Sequence, residues 1–245
     1  MKHSRIVLIT FVTLLLTFAI NFAKADADLQ IVPPDSTAYG KNYAQWSAAW
    51  AQWAFSIPKP INPMLDSTGV YAGSGQSGKV FFLAGTMGGT AVRSITIPTD
   101  TPLFFPIVNT TWLNTPEYGD PVWSPVQEAY ARSFIADYIN TTNHLTLKID
   151  EHSVRNLYDF RSKSTAAKCN IPPLANDNVF GVDLINNPYD CVADGYWVLL
   201  RPLSAGLHKI HFTGAASGFS LDVTYNITVK SDHDRKEVKM PLHPD

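Results

Sequence analysis

The sequence predicts a mainly β protein: an antiparallel β-sandwich or jelly-roll with an N-terminal aromatic helix and one mid-chain helix. Three observations support this class. The segment Phe219 to Lys230 alternates between apolar and polar residues, which is typical of a strand with one buried face. Several short runs rich in Val, Ile and Phe are separated by turn residues. Aromatic residues between positions 38 and 56 recur at helical spacing.

The N-terminal helix is predicted over residues 38–56, capped by Ser36 or Thr37 and ended at Ile57-Pro58. Aromatic groups at this spacing most often pack against a sheet, so a core role is favoured over a carbohydrate-stacking platform. Five of them follow one another at spacings of 4, 3, 4 and 3: Tyr39, Tyr43, Trp46, Trp50 and Trp53.

The strands of the sandwich are predicted from short apolar runs at 80–84, 92–97, 103–108, 145–149, 196–200, 207–213 and 219–230. The run 103–108 is apolar on both faces, so we expect a buried strand although Pro106 normally marks an edge or a bulge. The second helix is predicted over 126–139, with Ser124 as its cap and Pro125 in its first turn. Four residues form a stripe along it: Val126, Tyr130, Phe134 and Tyr138.

Three regions are predicted along the chain: a signal peptide (1–25), a single β-sandwich-like domain (26–230) and a disordered charged tail (231–245). The first region has a positively charged start, an apolar run and the small residues Ala23 and Ala25 before the expected cleavage point. An uncleaved anchor is the alternative, but the run is at the lower limit for crossing a bilayer. We therefore expect a secreted or periplasmic protein without membrane insertion after cleavage.

The charge balance argues against nucleic acid as a partner. Removing Lys2, Arg5 and Lys24 with the signal peptide leaves 16 basic residues against 21 acidic ones, a net charge of −5. Phosphate backbones require a basic surface, which this composition does not supply. In an oxidising compartment Cys169 and Cys191, the two cysteines of the chain, are expected to form one disulfide.

No cofactor or metal is expected from the motifs. Residues 73–79 have a GxGxxG spacing followed by Lys79, but a strand pattern follows where a phosphate-binding loop needs a helix. His208 and His211 are three residues apart on a predicted strand, so their side chains point to opposite faces and do not share a metal.

Arg93 and His208 are the candidate catalytic residues. Strand parity places Arg93 with Ile95 and Ile97, and it places His208 with Ile210, so both side chains are expected on apolar faces. A buried guanidinium needs a carboxylate or several carbonyl groups. A structural ion pair at Arg93 and a hydrogen-bonded core histidine at position 208 are the alternatives.

Trp112, Tyr118 and Trp123 are the candidate binding residues. They lie among Pro, Asn and Gly in a predicted loop. Loops carry function more often than packing does, and flat apolar rings in a loop suit a sugar or the surface of a protein.

Several short segments carry a further signal: Tyr39-Gly40-Lys41, residues 46–50, residues 80–86, Arg93 before Ile97-Pro98, residues 103–106, residues 194–197, Pro202-Leu203 and residues 206–208. Over most of the mature chain these segments resemble a family of uncharacterised exported bacterial proteins. The resemblance implies export from a bacterium and no particular activity. This chain has Tyr71 and Ser94 where such relatives place cysteines, so a disulfide framework based on those positions is absent.

Three functions follow from the sequence. The leading hypothesis is a secreted, non-catalytic binding protein that recognises a glycan or a protein surface through its loop aromatics. A secreted hydrolase with Arg93 and His208 in one pocket is the first alternative, and a structural envelope or matrix protein is the second. No GxSxG motif and no free cysteine points to a nucleophile.

Overall fold

The computed structural model describes residues 31–230, so the predicted signal peptide (1–25) and charged tail (231–245) lie outside the described residues. Short 3-10 turns occur at Lys59–Ile61, Pro116–Tyr118 and Leu157–Phe160. In chain order the helices and strands are β1 (Thr37–Ala38), β2 (Lys41–Asn42), α1 (Tyr43–Ser56), β3 (Phe81–Phe82), β4 (Gly89–Pro98), β5 (Leu103–Leu113), α2 (Pro125–Asn140), β6 (Asn143–Ile149), β7 (His152–Ser153), β8 (Arg161–Lys163), β9 (Ala167–Cys169), β10 (Tyr189–Leu200), β11 (Gly206–Ala216) and β12 (Phe219–Lys230).

Two five-stranded sheets form a β-sandwich, which confirms the predicted fold class. The first sheet has the order β3-β5-β10-β8, with β9 also paired to β10, and the second has the order β4-β12-β11-β6-β7. Apolar side chains from both sheets form one buried cluster, in which the rings of Phe105 and Phe212 stack with centroids 5.4 Å apart. The pairing is antiparallel except that β4 runs parallel to β12 and β3 runs parallel to β5.

The second sheet shows the alternation that the sequence predicts. Inward residues of β12 such as Val223 and Ile227 are buried, whereas Asp222 and Asn226 are exposed. The first sheet differs because both of its faces are covered, and β10 is buried almost throughout. Helix α1 covers one face, and α2 packs beside the second sheet on the other face. The layering explains why the run 103–108 is apolar on both sides.

The aromatic residues of α1 belong to the core, as predicted. Trp50 is 2% exposed and packs edge-to-face on Trp197 of β10, with ring centroids 5.6 Å apart. The three indole Nε1 atoms all donate to backbone carbonyls: Trp46 to Ala38, Trp50 to Leu83 and Trp53 to Ser74. Because their polar atoms are satisfied inside the protein, these rings hold α1 on the first sheet and offer no stacking platform.

The start of α1 differs from the prediction. The helix begins at Tyr43 because Asn42 caps it, with Asn42 and Gln45 forming a reciprocal capping box. Residues 37–42 form the β1–β2 hairpin instead, in which Tyr39 and Gly40 turn the chain with φ values of 54° and 87°. The predicted caps Ser36 and Thr37 therefore lie outside the helix. Its end at Ser56 before Ile57-Pro58 is confirmed.

Pro106 lies next to a β-bulge. A bulge and a sheet edge are the two places where a proline is expected within a strand. Trp197 pairs with Pro106 and Tyr196 pairs with Val108, so Ile107 is the extra residue of β5. The predicted strand 196–200 is longer in the structure, because β10 begins at Tyr189 and pairs with β5 as far as Leu113. The apolar pattern is missing between 189 and 195, so only this pairing reveals the strand.

Cys169 of β9 and Cys191 of β10 form the predicted disulfide, and both residues are buried. The bond joins neighbouring strands and closes the irregular segment 170–188. Replacing both cysteines with serine is expected to lower the free energy of unfolding by about 3 kcal/mol, because the unfolded chain regains the freedom of that loop. Urea unfolding of the double variant beside the parent protein measures the difference. A loss below about 0.5 kcal/mol would contradict a stabilising role.

Candidate functional site

Helix α2 presents an uncovered apolar stripe to solvent, called the aromatic face below. Val122 just before the helix is 82% exposed, Val126 is 81% exposed, and Tyr130 and Phe134 are each 56% exposed. The sequence places the last three residues on one helical stripe. The neighbouring stripe turns inward instead, because its smaller side chains bring the helix close to the first sheet; it consists of Gln127, Ala131, Ile135 and Ile139.

The N-terminus of α2 is built as predicted. The Ser124 side chain accepts a hydrogen bond from the Gln127 backbone N–H, and Pro125 is the first helical residue. Arg132 and Glu128, one turn apart, form an ion pair of 2.8 Å, and Arg132 also donates to the carbonyl of Ser164 in the body of the protein. The ion pair of Glu128 and Arg132 therefore lies beside the aromatic face, whereas Asp137, near the end of the helix, is exposed.

Trp112 supports the aromatic face from below. Its ring lies edge-on to Tyr130 and to Phe134, with centroid distances of 5.7 Å and 5.2 Å. The prediction that Trp112 lies in a loop is wrong, because β5 continues to Leu113 through its pairing with β10. Its Nε1 atom is buried and has no hydrogen-bond partner among the described residues. The sequence could not show this packing, since it depends on α2 crossing β5.

Trp123 and Tyr118 occupy different environments. Trp123 is half-buried and packs on a small cluster with Ala131 and Ile135 of α2. Tyr118 lies in the 3-10 turn and is 57% exposed, and its hydroxyl donates to the carbonyl of Asp183. Of the three predicted binding residues, Tyr118 is the one exposed at the surface, whereas both tryptophans support the surface.

Glu117 ties the turn that carries Tyr118 to the disulfide-closed segment. Its carboxylate accepts hydrogen bonds from the Tyr189 hydroxyl and from Asn186 Nδ2. Burial raises the pKa of Glu117, but these hydrogen bonds outweigh burial, so its pKa lies below the ordinary value. Burial, together with the hydrogen bond to Glu117, raises the pKa of Tyr189 to about 12. The turn is thus held in place at neutral pH, where the carboxyl is ionised and the phenol is not.

An apolar cleft of about 230 Å³ lies at the end of α2. Tyr138, one turn beyond Phe134 on the same stripe, is among its lining residues. We call it the edge cleft because it follows β5 where that strand lacks a second neighbour among the described residues; β3 pairs only with Leu103 and Phe104. The cleft is lined by Trp50, Phe55, Met64, Gly85, Thr86, Met87, Pro106, Ile107, Asn109, Thr110, Thr111, Tyr138, Phe180, Phe219 and Leu221.

Arg93, a candidate catalytic residue, is sealed in the core at 1% exposure. Four of its N–H groups donate hydrogen bonds: Nε to the carbonyl of Asp66, Nη1 to Ala84 and to the Tyr225 hydroxyl, and Nη2 to Gly85. Its partners are thus backbone carbonyls and a hydroxyl, the second of the two arrangements that the sequence requires for a buried guanidinium. Arg93 ties the segments before β3 and β4 to the second sheet.

His208, the other candidate, bridges a turn and a loop. Nδ1 lies 2.6 Å from Asp150 Oδ2, and Nε2 lies 2.9 Å from the Ser204 carbonyl and 3.3 Å from the Ser204 hydroxyl. This set resembles a Ser-His-Asp triad in composition. A carbonyl oxygen only accepts, so the shorter contact requires a proton on Nε2. That nitrogen then donates and does not take a proton from the hydroxyl.

The structure does not bring Arg93 and His208 into one pocket. His208 lines a concavity of about 420 Å³ together with Asp150 and polar residues of β4 and β12, and Arg93 is not among the lining residues. Among residues 31–230, no group of three or more His, Cys, Asp or Glu side chains is placed to hold a metal ion. In the same part of the chain, no helix has the length and hydropathy needed to span a bilayer.

No protein-family model and no curated protein matches the sequence. Among solved structures, the chain is similar to the cysteine protease inhibitor EhICP2 from Entamoeba histolytica, at 11% identity and a TM-score of 0.20, over 60% of this chain and 100% of that chain. It is also similar to Amebosin, at 11% identity and a TM-score of 0.18, over 58% of this chain and 98% of that chain. At these TM-scores neither similarity carries an argument about this protein.

Proposed function

We propose that this chain is an exported, non-catalytic binding protein that binds a segment of a partner protein at the edge cleft and the aromatic face. The observation that carries the proposal is the continuity of the two surfaces: the stripe Val126, Tyr130, Phe134 leads to Tyr138 in the cleft, beside the edge of β5 that has no paired strand among the described residues. The disulfide and the N-terminal sequence support export.

The unpaired edge of β5 favours a protein partner over a glycan. Residues 107–113 of β5 have β10 on one side and no strand on the other among the described residues. An extended peptide adds to such an edge through main-chain hydrogen bonds and places alternate side chains in neighbouring pockets. A glycan needs polar groups for its hydroxyls, whereas the exposed residues of the aromatic face are uncharged and mostly apolar.

The cleft and the stripe have the properties of an interface centre. Aromatic residues concentrate binding energy when a partner covers them, and a pocket beside them accepts an anchoring side chain. The four exposed residues of the aromatic face, together with Met87 at 56% exposure on the cleft, are the apolar side chains that the partner is expected to cover.

A photo-crosslinking amino acid at position 134 tests the proposal. The labelled protein is mixed with envelope and culture fractions of the producing cells and irradiated, and the adduct is identified by mass spectrometry. We expect one discrete partner, which is then purified for calorimetry. The variant Tyr130→Ser/Phe134→Ser is expected to raise the dissociation constant about 100-fold, because each aromatic ring that the partner buries contributes on the order of 1–2 kcal/mol or more to the binding free energy.

Val92→Ser is the matched control, because Val92 is also an exposed apolar residue, at 58%, but lies on the outer face of β4. Its dissociation constant is expected to equal that of the parent protein. A cross-link to a second copy of this chain, no adduct, or equal binding by the double variant would each contradict the proposal.

A further inference from the structure

Another concave surface lies along α1, where the helix meets residues 77–82 and residues 168–170, and it shares no lining residue with the edge cleft or the aromatic face. Its volume is about 500 Å³. Three lysines line it from separate parts of the chain: Lys41 of β2, Lys79 after the Gly-rich segment 73–78, and Lys168 of β9. None of its described lining residues is acidic. We call this surface the lysine groove.

The lysine groove is lined by positive charge, whereas the rest of the chain is net acidic. The described chain has more acidic than basic residues, and the net charge of the whole sequence is −2. Converging ammonium groups in a concave surface raise the local concentration of anions. Lys168 is paired with Asp190 at 2.7 Å, so the unbalanced charge comes from Lys41 and Lys79. Among residues 31–230, Lys79 has no ion-pair partner.

The remaining lining residues suit a sugar. Trp46 and Trp53 contribute to the floor, and the ammonium of Lys41 lies 5.5 Å from the ring centroid of Trp46. Gln52 donates through Nε2 to the Lys168 carbonyl, which leaves its amide oxygen to accept from a hydroxyl. Asn170 is exposed at the rim. Cations and amides together match a chain that carries both carboxylates and hydroxyls.

We propose that the lysine groove binds an acidic polysaccharide, with Lys79 and Lys41 contacting its carboxylates and Gln52 and Asn170 contacting its hydroxyls. The assignment also gives Lys79 of the GxGxxG segment a role. That segment is followed by β3 rather than a helix, so its lysine faces the groove instead of a phosphate at a helix N-terminus. The groove is separate from the edge cleft, so the two proposals succeed or fail independently.

The probe is a tetramer of galacturonic acid, with its methyl ester as the uncharged match. Calorimetry at about 20 mM and about 200 mM NaCl is expected to show binding of the acid that weakens with salt and no binding of the ester. Lys79→Gln and Lys41→Gln are each expected to weaken binding of the acid, raising its dissociation constant about fivefold. Lys148→Gln, an exposed lysine on the second sheet, is the control and is expected to change nothing.

Asp190→Asn supplies a test in the opposite direction. This variant keeps the shape of the side chain and releases Lys168 from its ion pair, so we expect about threefold tighter binding of the tetramer. A carbohydrate-specific site is also expected to prefer the tetramer over a single-stranded DNA of the same charge. Equal binding of the DNA, equal binding of the methyl ester, or an unchanged dissociation constant for Lys79→Gln would overturn the proposal.

Discussion

Arg93→Met is expected to lower the free energy of unfolding by about 3 kcal/mol. The carbonyls of Asp66 and Gly85 lose their donor inside the core, and each unsatisfied buried acceptor costs about 1–3 kcal/mol. Removing a buried charge offsets part of this cost. The Ala84 carbonyl keeps the Tyr225 hydroxyl as a donor, which limits the loss. Urea unfolding with the disulfide intact measures the change.

The size of the effect should follow the number of donors that remain. Arg93→Lys keeps the charge but lacks the planar fork that reaches several carbonyls at once, so its stability is expected between that of the parent and that of Arg93→Met. Arg201→Met removes an exposed arginine that follows β10, and it is expected to stay within about 0.5 kcal/mol of the parent. Similar stabilities for Arg93→Met and Arg201→Met would contradict the structural role of Arg93.

Gly195→Ala is expected to lower the free energy of unfolding by about 3 kcal/mol or more. A Cβ atom at position 195 would lie 2.5 Å from the Val108 carbonyl oxygen and 2.7 Å from Asn109 Cα, which are backbone atoms of the neighbouring strand. Because β5 and β10 pair along their length and the first sheet is covered on both faces, the strands have little room to separate. Chemical denaturation provides the measurement.

Gly73→Ala is the matched control for that experiment. A Cβ at position 73 meets no atom within 4 Å, and the backbone there does not have the positive φ that favours glycine. Its stability is expected within about 0.5 kcal/mol of the parent. If Gly195→Ala were as stable as Gly73→Ala, the close approach of β5 and β10 would be wrong.

The sequence predicted the parts of the fold that depend on local periodicity. The alternation in β12, the aromatic stripe of α1 and the capped start of α2 each reflect one element packing on one partner, so a short window carries the signal. The disulfide followed from two cysteines together with the prediction of export, and the structure contains it. The sequence also placed Arg93 and His208 on inward faces, because side chains alternate along a strand.

The candidate site was predicted in part. The sequence selected Trp112, Tyr118 and Trp123 as loop aromatics for binding, and of these Tyr118 is exposed. It placed Tyr130 and Phe134 on one stripe without showing which side faces water. That choice depends on whether Tyr130 or its neighbour Ala131 fits against the first sheet, which is a matter of packing between distant elements. The apolar run of β5 ends at residue 108, so Trp112 was predicted to lie in a loop. Pairing with β10 extends the strand past that run.

The amino-acid sequence by itself determined the class of fold, the layer that the tryptophans of α1 occupy, the disulfide and the inward direction of Arg93. The tertiary structure alone decided which groups meet: carbonyls around Arg93, an unpaired strand edge beside an aromatic stripe, and three lysines from separate segments in one groove. The physical reason is range. Periodicity and capping act over a few residues, whereas strand pairing and packing join residues whose separation in the chain leaves no pattern in any short window.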